Sequence, residues 1–289
     1  MKKVIITAAG RKRYLEILFL YLLKAYREKE FDEWLLWMNT SNAEDNEYLD
    51  KLAKKYNWIK KVYCCNPDEY PKALDPEMWK NFHKFYSLDG SDPDSIYLKI
   101  DDDIVFIEDN AIRSMFEFRE KNPQYFIVIG NVINNALCGH IHQRIGVIGY
   151  EKGINLYDCF CNVAWKSPQF AEYIHQQFIK NRFNTYLYKF PLWELWAYER
   201  ISINVFSWFG SRFAKFKGNV PVDEEQALSV VLPRQFKEMN CINGQAIFSH
   251  FAFYTQRDYL DTTNLLDLYK KIAPVNSFVK QEDTEDNGS

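Results

Sequence analysis

Tyr97-Leu98-Lys99-Ile100-Asp101-Asp102-Asp103-Ile104-Val105-Phe106-Ile107 sets three adjacent carboxylates between two apolar runs. The first run reads as a buried strand, and in an open α/β sheet ligands bind at the carboxyl ends of strands. Three like charges beside a core need compensation. A divalent cation supplies it, and oxygen ligands suit Mg²⁺ or Mn²⁺. Alternation along a strand predicts that Asp101 and Asp103 point one way and Asp102 the other. The competing reading is a solvated acidic turn, which three aspartates directly after a clean strand disfavour. An EF-hand is excluded: Phe106 stands where its glycine should be, and Val105 and Ile112 fall at ligand positions. No G-x-x-x-x-G-K run supports a Walker-type nucleotidase.

Upstream, the pattern alternates. Residues 4–9 read as a strand, 14–26 as a helix, 34–38 as a strand, and 59–64 as another. Ser41 and Glu44 form a capping-box pattern opening a helix to about Tyr56. Residues 66–76 read as loop and 78–86 as a helix before the strand at 96–100. This β-α-β order predicts an α/β fold with a mostly parallel central sheet flanked by helices. Downstream, helices are expected at 111–121, 168–182 and 224–232, the last begun by Asp223. Strands are expected at 125–130, 159–165 and 246–249, and a long loop at 202–219.

The chain has 289 residues and a formal net charge of −3, so no global basic field favours nucleic acid as a partner. Six cysteines without a regular framework read as reduced thiols and a cytoplasmic setting. The start reads as a first strand, not a signal peptide, and the apolar stretch 15–23 is too short to span a bilayer. Asn39-Thr40-Ser41 fits a glycosylation sequon, read as coincidence without evidence of secretion. The acidic stretch 279–289 has no core residues and is expected to be disordered.

A strand ending in Asp-x-Asp after two or three βα units resembles the GT-A class of nucleotide-sugar glycosyltransferases. The order apolar-Lys-apolar-Asp-Asp-Asp-apolar over 98–104 is particularly similar, and the arrangement runs from Val4 to about Tyr259. The resemblance implies one Rossmann-like catalytic domain over 1–278, with a nucleotide-sugar and metal half (1–109) and an acceptor half (110–278). It implies transfer from a nucleoside-diphosphate sugar to a hydroxyl of a glycan or glycoconjugate, aided by Mn²⁺ or Mg²⁺. Asp101 would face the ribose and Asp103 the metal. The extra Asp102 leaves the register open, so Asp101 is also a metal candidate and Asp102, like Lys99, a nucleotide candidate. His250 would be a further metal ligand, although a histidine among aromatics is more often a satisfied core residue.

In Thr7-Ala8-Ala9-Gly10-Arg11-Lys12-Arg13, small residues end a strand and cations precede a helix whose N-terminus can meet an anion. Thr7, Ala8 and Arg11, with Asn39 after the second strand, would border the nucleotide; a solvated helix start and a turn residue are the plain alternatives. Asp223 and Glu224 open a helix, where acids are favoured anyway. Either is a candidate general base. Arg212, Lys215 and Lys217 could close over a diphosphate, and Trp165, Trp193 and Trp196 could stack on a sugar, with solvated charges and core packing as alternatives. Cys138, His140, His142, Cys159 and Cys161 are zinc ligand types at a spacing that matches no standard finger. The rival activities are a nucleotidyltransferase that makes a nucleotide sugar and a non-catalytic carbohydrate-binding protein.

Overall fold

A computed structural model describes residues 1–220 and 223–274. The acidic stretch 279–289 lies outside them. Strands β1 (Lys2–Ala9), β2 (Glu33–Met38), β3 (Ile59–Val62), β4 (Ser95–Ile100), β5 (Ile104–Ile107), β6 (Val128–Ile133), β7 (Trp193–Leu195), β8 (Val205–Phe209) and β9 (Asn240–His250) form one sheet. Its order is β3-β2-β1-β4-β8-β6-β9-β5, with β7 on β9. β1, β2, β3 and β4 run parallel, β8 runs against both β4 and β6, and β9 runs with β6. The sheet is therefore mostly co-directed, with β5, β7 and β8 reversed, as the alternating pattern predicts.

The first helix, α1 (Lys12–Arg27), buries Leu15, Leu18, Phe19, Leu22 and Leu23, the predicted stripe, against the sheet. It stops where Lys29 takes a left-handed φ of 57°. The second, α2 (Ala43–Lys55), is capped by Asn42, not Ser41: the Asn42 side chain accepts from the Glu44 and Asp45 amides. Further helices are α3 (Phe82–Asp89), α4 (Ala111–Lys121), α5 (Ala136–Arg144), α6 (Pro168–Asn181), α7 (Gly210–Ala214), α8 (Glu224–Gln226), α9 (Leu232–Phe236), α10 (Tyr254–Leu260) and α11 (Leu265–Ile272). Among the described residues, no helix is long and apolar enough to cross a membrane.

Two further expectations are corrected. Residues 202–219 are not a loop. They hold β8, buried on Val205, Phe206, Ser207 and Trp208, in the middle of the sheet, and then α7. Arg212 of α7 is pinned by Glu238 and by the Tyr125 carbonyl, so it is no lid cation. Residues 159–165 are not a strand: Asn162–Lys166 form a π-helical turn, and a second such turn spans Ala227–Val231.

The core beside β2 is built from rings. Trp37 lies flat on Phe85 (centroids 5.1 Å apart, planes 5° apart) and edge-on to Tyr86 at 4.9 Å. Its indole N–H is buried with no hydrogen-bond partner. Trp37→Ala should therefore lower unfolding free energy by about 3–5 kcal/mol, as truncation of a buried aromatic does. Trp37→Phe should cost much less, because the lost N–H satisfies nothing. Urea midpoints of the three proteins check this; equal losses would refute the packing argument.

Candidate active site

β4 ends at Ile100, and the chain then turns, with the Ile104 amide donating to the Asp101 carbonyl at 3.2 Å. The strand alternation expected for the aspartates therefore lapses. Asp102 and Asp103 share one partner, and Asp101 turns away to another. Arg11 Nε donates to both Asp102 carboxylate oxygens at 3.1 Å, and its Nη2 contacts Asp102 and lies 3.0 Å from Asp103 Oδ2. Lys99 Nζ meets Asp101 Oδ1 at 2.5 Å. Asp102 and Asp103 are buried, and Asp101 is half-buried.

His250 closes the cluster from the end of β9. Its Nε2 stands 3.4 Å from Asp103 Oδ2, and Arg257 of α10 stands 3.6 Å from the same oxygen. His250 Nδ1 faces the Asn134 carbonyl at 3.2 Å. A carbonyl can only accept, so Nδ1 donates to it, which leaves Nε2 aimed at a carboxylate oxygen. A ring nitrogen and a carboxylate oxygen that face each other this way share a cation, either a proton or a metal. Ligands about 2.0–2.2 Å from one ion lie about this far from each other. The pair thus fits a divalent cation held by few protein ligands and completed by phosphates. Asp101 is not part of this pair. Among the described residues, no three of His, Cys, Asp and Glu converge as ligands.

The charges are unequal. Burial alone would raise the Asp103 carboxyl, but Arg11, His250 and Arg257 outweigh it and hold it below the usual carboxylate range. Burial pushes Asp101 and Asp102 up against the opposing pull of Lys99 and Arg11. Asp103 is therefore the member that keeps its charge most firmly. Lys99, buried between the Phe82 and Phe206 rings, would be lowered by burial, but Asp101 and Glu224 keep it protonated.

Glu224 opens α8 and faces Lys99, with Nζ to Oε1 at 3.8 Å, and accepts from the buried Tyr86 hydroxyl. Burial pushes its carboxyl up, and Asp101 and Glu225 add to the rise. Asp223 instead caps α8 through the Gln226 amide at 3.1 Å and pairs with Arg200 at 2.9 Å on the surface. Of the two base candidates, Glu224 alone belongs to the cluster.

The other predicted residues divide. Ala8 is half-buried at the end of β1. Thr7 lies in the core, its hydroxyl accepting from Trp34 Nε1 at 3.0 Å. Asn39 donates to the Met78 carbonyl at 3.0 Å and accepts from Asn81 at 2.9 Å, fixing the approach to α3. At Gly10 a Cβ would press on the Asn39 carbonyl at 3.2 Å, so this turn packs tightly on the one after β2. The Lys12 amide of α1 already donates to Asp45 Oδ1 at 2.9 Å. Lys215 and Lys217 follow α7, two and four residues beyond Phe213. Trp193 donates to the Tyr157 hydroxyl at 2.8 Å, and Trp196 is exposed. The zinc candidates pair elsewhere: His142 Nε2 with the Asn131 side chain at 2.9 Å, His140 Nδ1 with the Asn155 carbonyl at 2.7 Å, and Cys161 with the Leu156 amide at 3.2 Å.

Sequence reasoning missed Tyr86, Asn134 and Arg257. Asn134 holds a left-handed φ of 62° and donates to the Phe251 carbonyl at 3.0 Å, so it sets the turn after β9 as well as the His250 ring. The signal was the Asn134-Asn135 pair after an apolar strand; nothing local marked Tyr86 or Arg257. A cavity of about 790 Å³ lined by Leu20, Tyr21, Phe106 and Arg182 lies at the other end of α1 and shares no residue with the cluster.

No family model and no curated protein matches the chain. Among solved structures, it is similar to a CMP:2-keto-3-deoxy-manno-octonic acid synthetase complexed with CTP. The likeness covers 86% of this chain and 90% of that one, at 10% identity and a TM-score of 0.42. A likeness that distant carries nothing about activity.

The Glu224 carboxyl has a folded-state value raised above its unfolded one, so it contributes stability in acid that is lost as pH rises from about 4.5 through the folded value. Glu224→Gln lacks this titration. It should gain stability relative to the parent as pH is raised from 4 to 8, with the two converging at the acid end. A difference in urea midpoint that stays flat over that range would contradict the assignment.

Proposed function

We propose that the chain is a metal-dependent glycosyltransferase. It would move a sugar from a nucleoside diphosphate to a hydroxyl of a glycan or glycoconjugate. The observation that carries this reading is the meeting of Asp103 Oδ2 and His250 Nε2, flanked by Arg11 and Arg257, with the half-buried Glu224 joined to the same aspartate turn through Lys99. Asp103 and His250 would hold Mn²⁺ or Mg²⁺, which when bound neutralises charge on a departing diphosphate. Arg11 and Arg257 both lean on one carboxylate oxygen and are the cations that can turn to phosphate oxygens. Asp101, half-exposed and held by Lys99, faces the ribose in this scheme, and Ala8 borders the nucleotide. Glu224, its carboxyl raised toward neutrality, accepts the proton of the attacking hydroxyl, while Tyr86 fixes its orientation. Cytoplasmic residence remains part of the proposal.

A second reading, a nucleotidyltransferase that makes a nucleotide sugar, draws on Arg11, Lys12 and Arg13 around a cavity of about 400 Å³ at the start of α1. Three successive cations suit a triphosphate. All three are already paired, Arg11 with Asp102 and Asp103, Lys12 with Glu44 at 2.6 Å and Arg13 with Asp261 at 2.9 Å, so a triphosphate would have to displace these carboxylates.

Product analysis separates the two. The full chain with Mn²⁺ and a panel of nucleotide sugars should release nucleoside diphosphate; pyrophosphate released from a nucleoside triphosphate would select the second reading. Asp103→Asn should abolish Mn²⁺-dependent turnover and the Mn²⁺-dependent thermal stabilisation by nucleoside diphosphate. Turnover kept by Asp103→Asn would overturn the metal role. Glu224→Gln should lower kcat by about 10²–10⁴-fold while that stabilisation persists; an unchanged kcat would remove Glu224 as the base.

A further inference from the structure

A run of aromatic side chains links α10 to Arg200. At one end, Phe253 packs on the His250 ring at 4.6 Å, and α10 carries both Tyr254 and the Arg257 that reaches Asp103. Tyr254 meets Trp165 edge-to-face at 5.4 Å, and Trp165 meets Phe160 edge-to-face at 5.2 Å. At the other end, the Arg200 guanidinium lies 4.6 Å over the Phe160 ring and binds Glu225 at 2.7 Å and Asp223 at 2.9 Å, the two neighbours of Glu224. The track thus runs from α10, which carries Arg257, to Asp223 and Glu225 on either side of the candidate base.

These rings are not core filler. Tyr254 is 70% exposed and Phe160 44%, and Trp165 is half-buried. Perpendicular contacts leave ring faces open that parallel stacking would hide. The backbone holds Trp165 firmly: it lies in the π-helical turn Asn162–Lys166, tied to α10 by Gln256 Nε2 donating to the Ala164 carbonyl at 2.8 Å and by the Thr255 hydroxyl on the Trp165 carbonyl. The second π-helical turn directly follows α8. Such turns are rare and concentrate at functional sites.

We propose that this track is the acceptor subsite and that its ligand is an oligosaccharide. A sugar ring offers an apolar C–H face and a rim of hydroxyls. The exposed parts of the Tyr254, Trp165 and Phe160 rings match the first. The charged and amide groups of Arg200, Asp223 and Gln226 match the second with planar donors and acceptors. Three rings at this spacing line a path longer than one sugar unit, which favours a chain of sugars over a monosaccharide. An acyl chain would want aliphatic walls, and here the walls are rings and ions. The role of the bound sugar as acceptor rests on the glycosyltransferase reading; its binding does not.

The test titrates the full chain with maltohexaose, cellohexaose, chitohexaose and a galactan hexamer, followed by calorimetry and tryptophan fluorescence. At least one hexamer should bind saturably. Trp165→Ala and Tyr254→Ala should each weaken it by about ten-fold, while Trp196→Ala, at an exposed tryptophan off this track, should not. Circular dichroism confirms that each variant is folded, and Tyr254, being exposed, keeps the test open if Trp165→Ala unfolds. No binding by any hexamer, or equal binding by wild type and Tyr254→Ala, would overturn the proposal. Glycan binding by a chain that binds no nucleoside diphosphate would uphold the subsite and sink the transferase reading; the reverse result would sink the subsite alone.

Discussion

Carboxylates withdrawn from water must be met by positive charge, and three consecutive ones make that demand at a single point. The chain answers from far apart in sequence. Lys99 comes from the same strand, Arg11 from the turn before α1, and Arg257 from α10 near the end of the described chain. Each cation fixes the element that bears it. β1 and its turn are drawn to β4 by Arg11, and α10 is drawn over the end of β9 by Arg257. His250 and Glu224 join the same network, His250 through Asp103 and Glu224 through Lys99. A buried network of this kind adds little net stability, since desolvation offsets most of its attraction, but it permits one geometry.

The same opposition of charges organises the cluster. Asp103 receives two guanidiniums and an imidazole; Asp101 receives a lysine that is itself sandwiched by rings. Polar side chains behind the cluster do the orienting. Asn134 bridges to the turn that follows β9, and Asn135 caps α5 and donates to the Ser202 carbonyl at 2.9 Å, next to the segment that leads into β8. The Asp101 amide in turn donates to the Asn204 carbonyl at 2.9 Å. The aspartate turn is thus held through its backbone as well as its charges.

What the sequence disclosed follows from which signals are local. β-branched and apolar runs over β1, β2 and β4 and the apolar stripe of α1 are periodic, and they were readable. β8 was not: Val205 to Phe209 is short and flanked by basic residues and glycine, and only its neighbours in space, β4 and β6, make it a strand. The π-helical turn Asn162–Lys166 overlaps the strand expected at 159–165, because periodicity over so short a run cannot separate the two. The aspartates were found, but their directions were misjudged, since the strand ends one residue before them. Asp223 and Glu224 could not be told apart until Tyr86 and Lys99, more than a hundred residues upstream, were seen to face only one of them. Partners supplied from that distance leave no mark in the local pattern.

The reversed strand β8 has a consequence for how the chain is made. It enters between β4 and β6, pairing Ile96 with Phe209 and Val128 with Ser207. During synthesis β4 therefore waits, its outer backbone groups bare, until some hundred further residues have left the ribosome. An open edge of this length is a template for pairing with other chains, and contacts so distant in sequence form slowly. Completion of the sheet, and with it of the aspartate turn that Asn204 steadies, is thus a late event, and the nascent chain passes through its most adhesive state immediately before it.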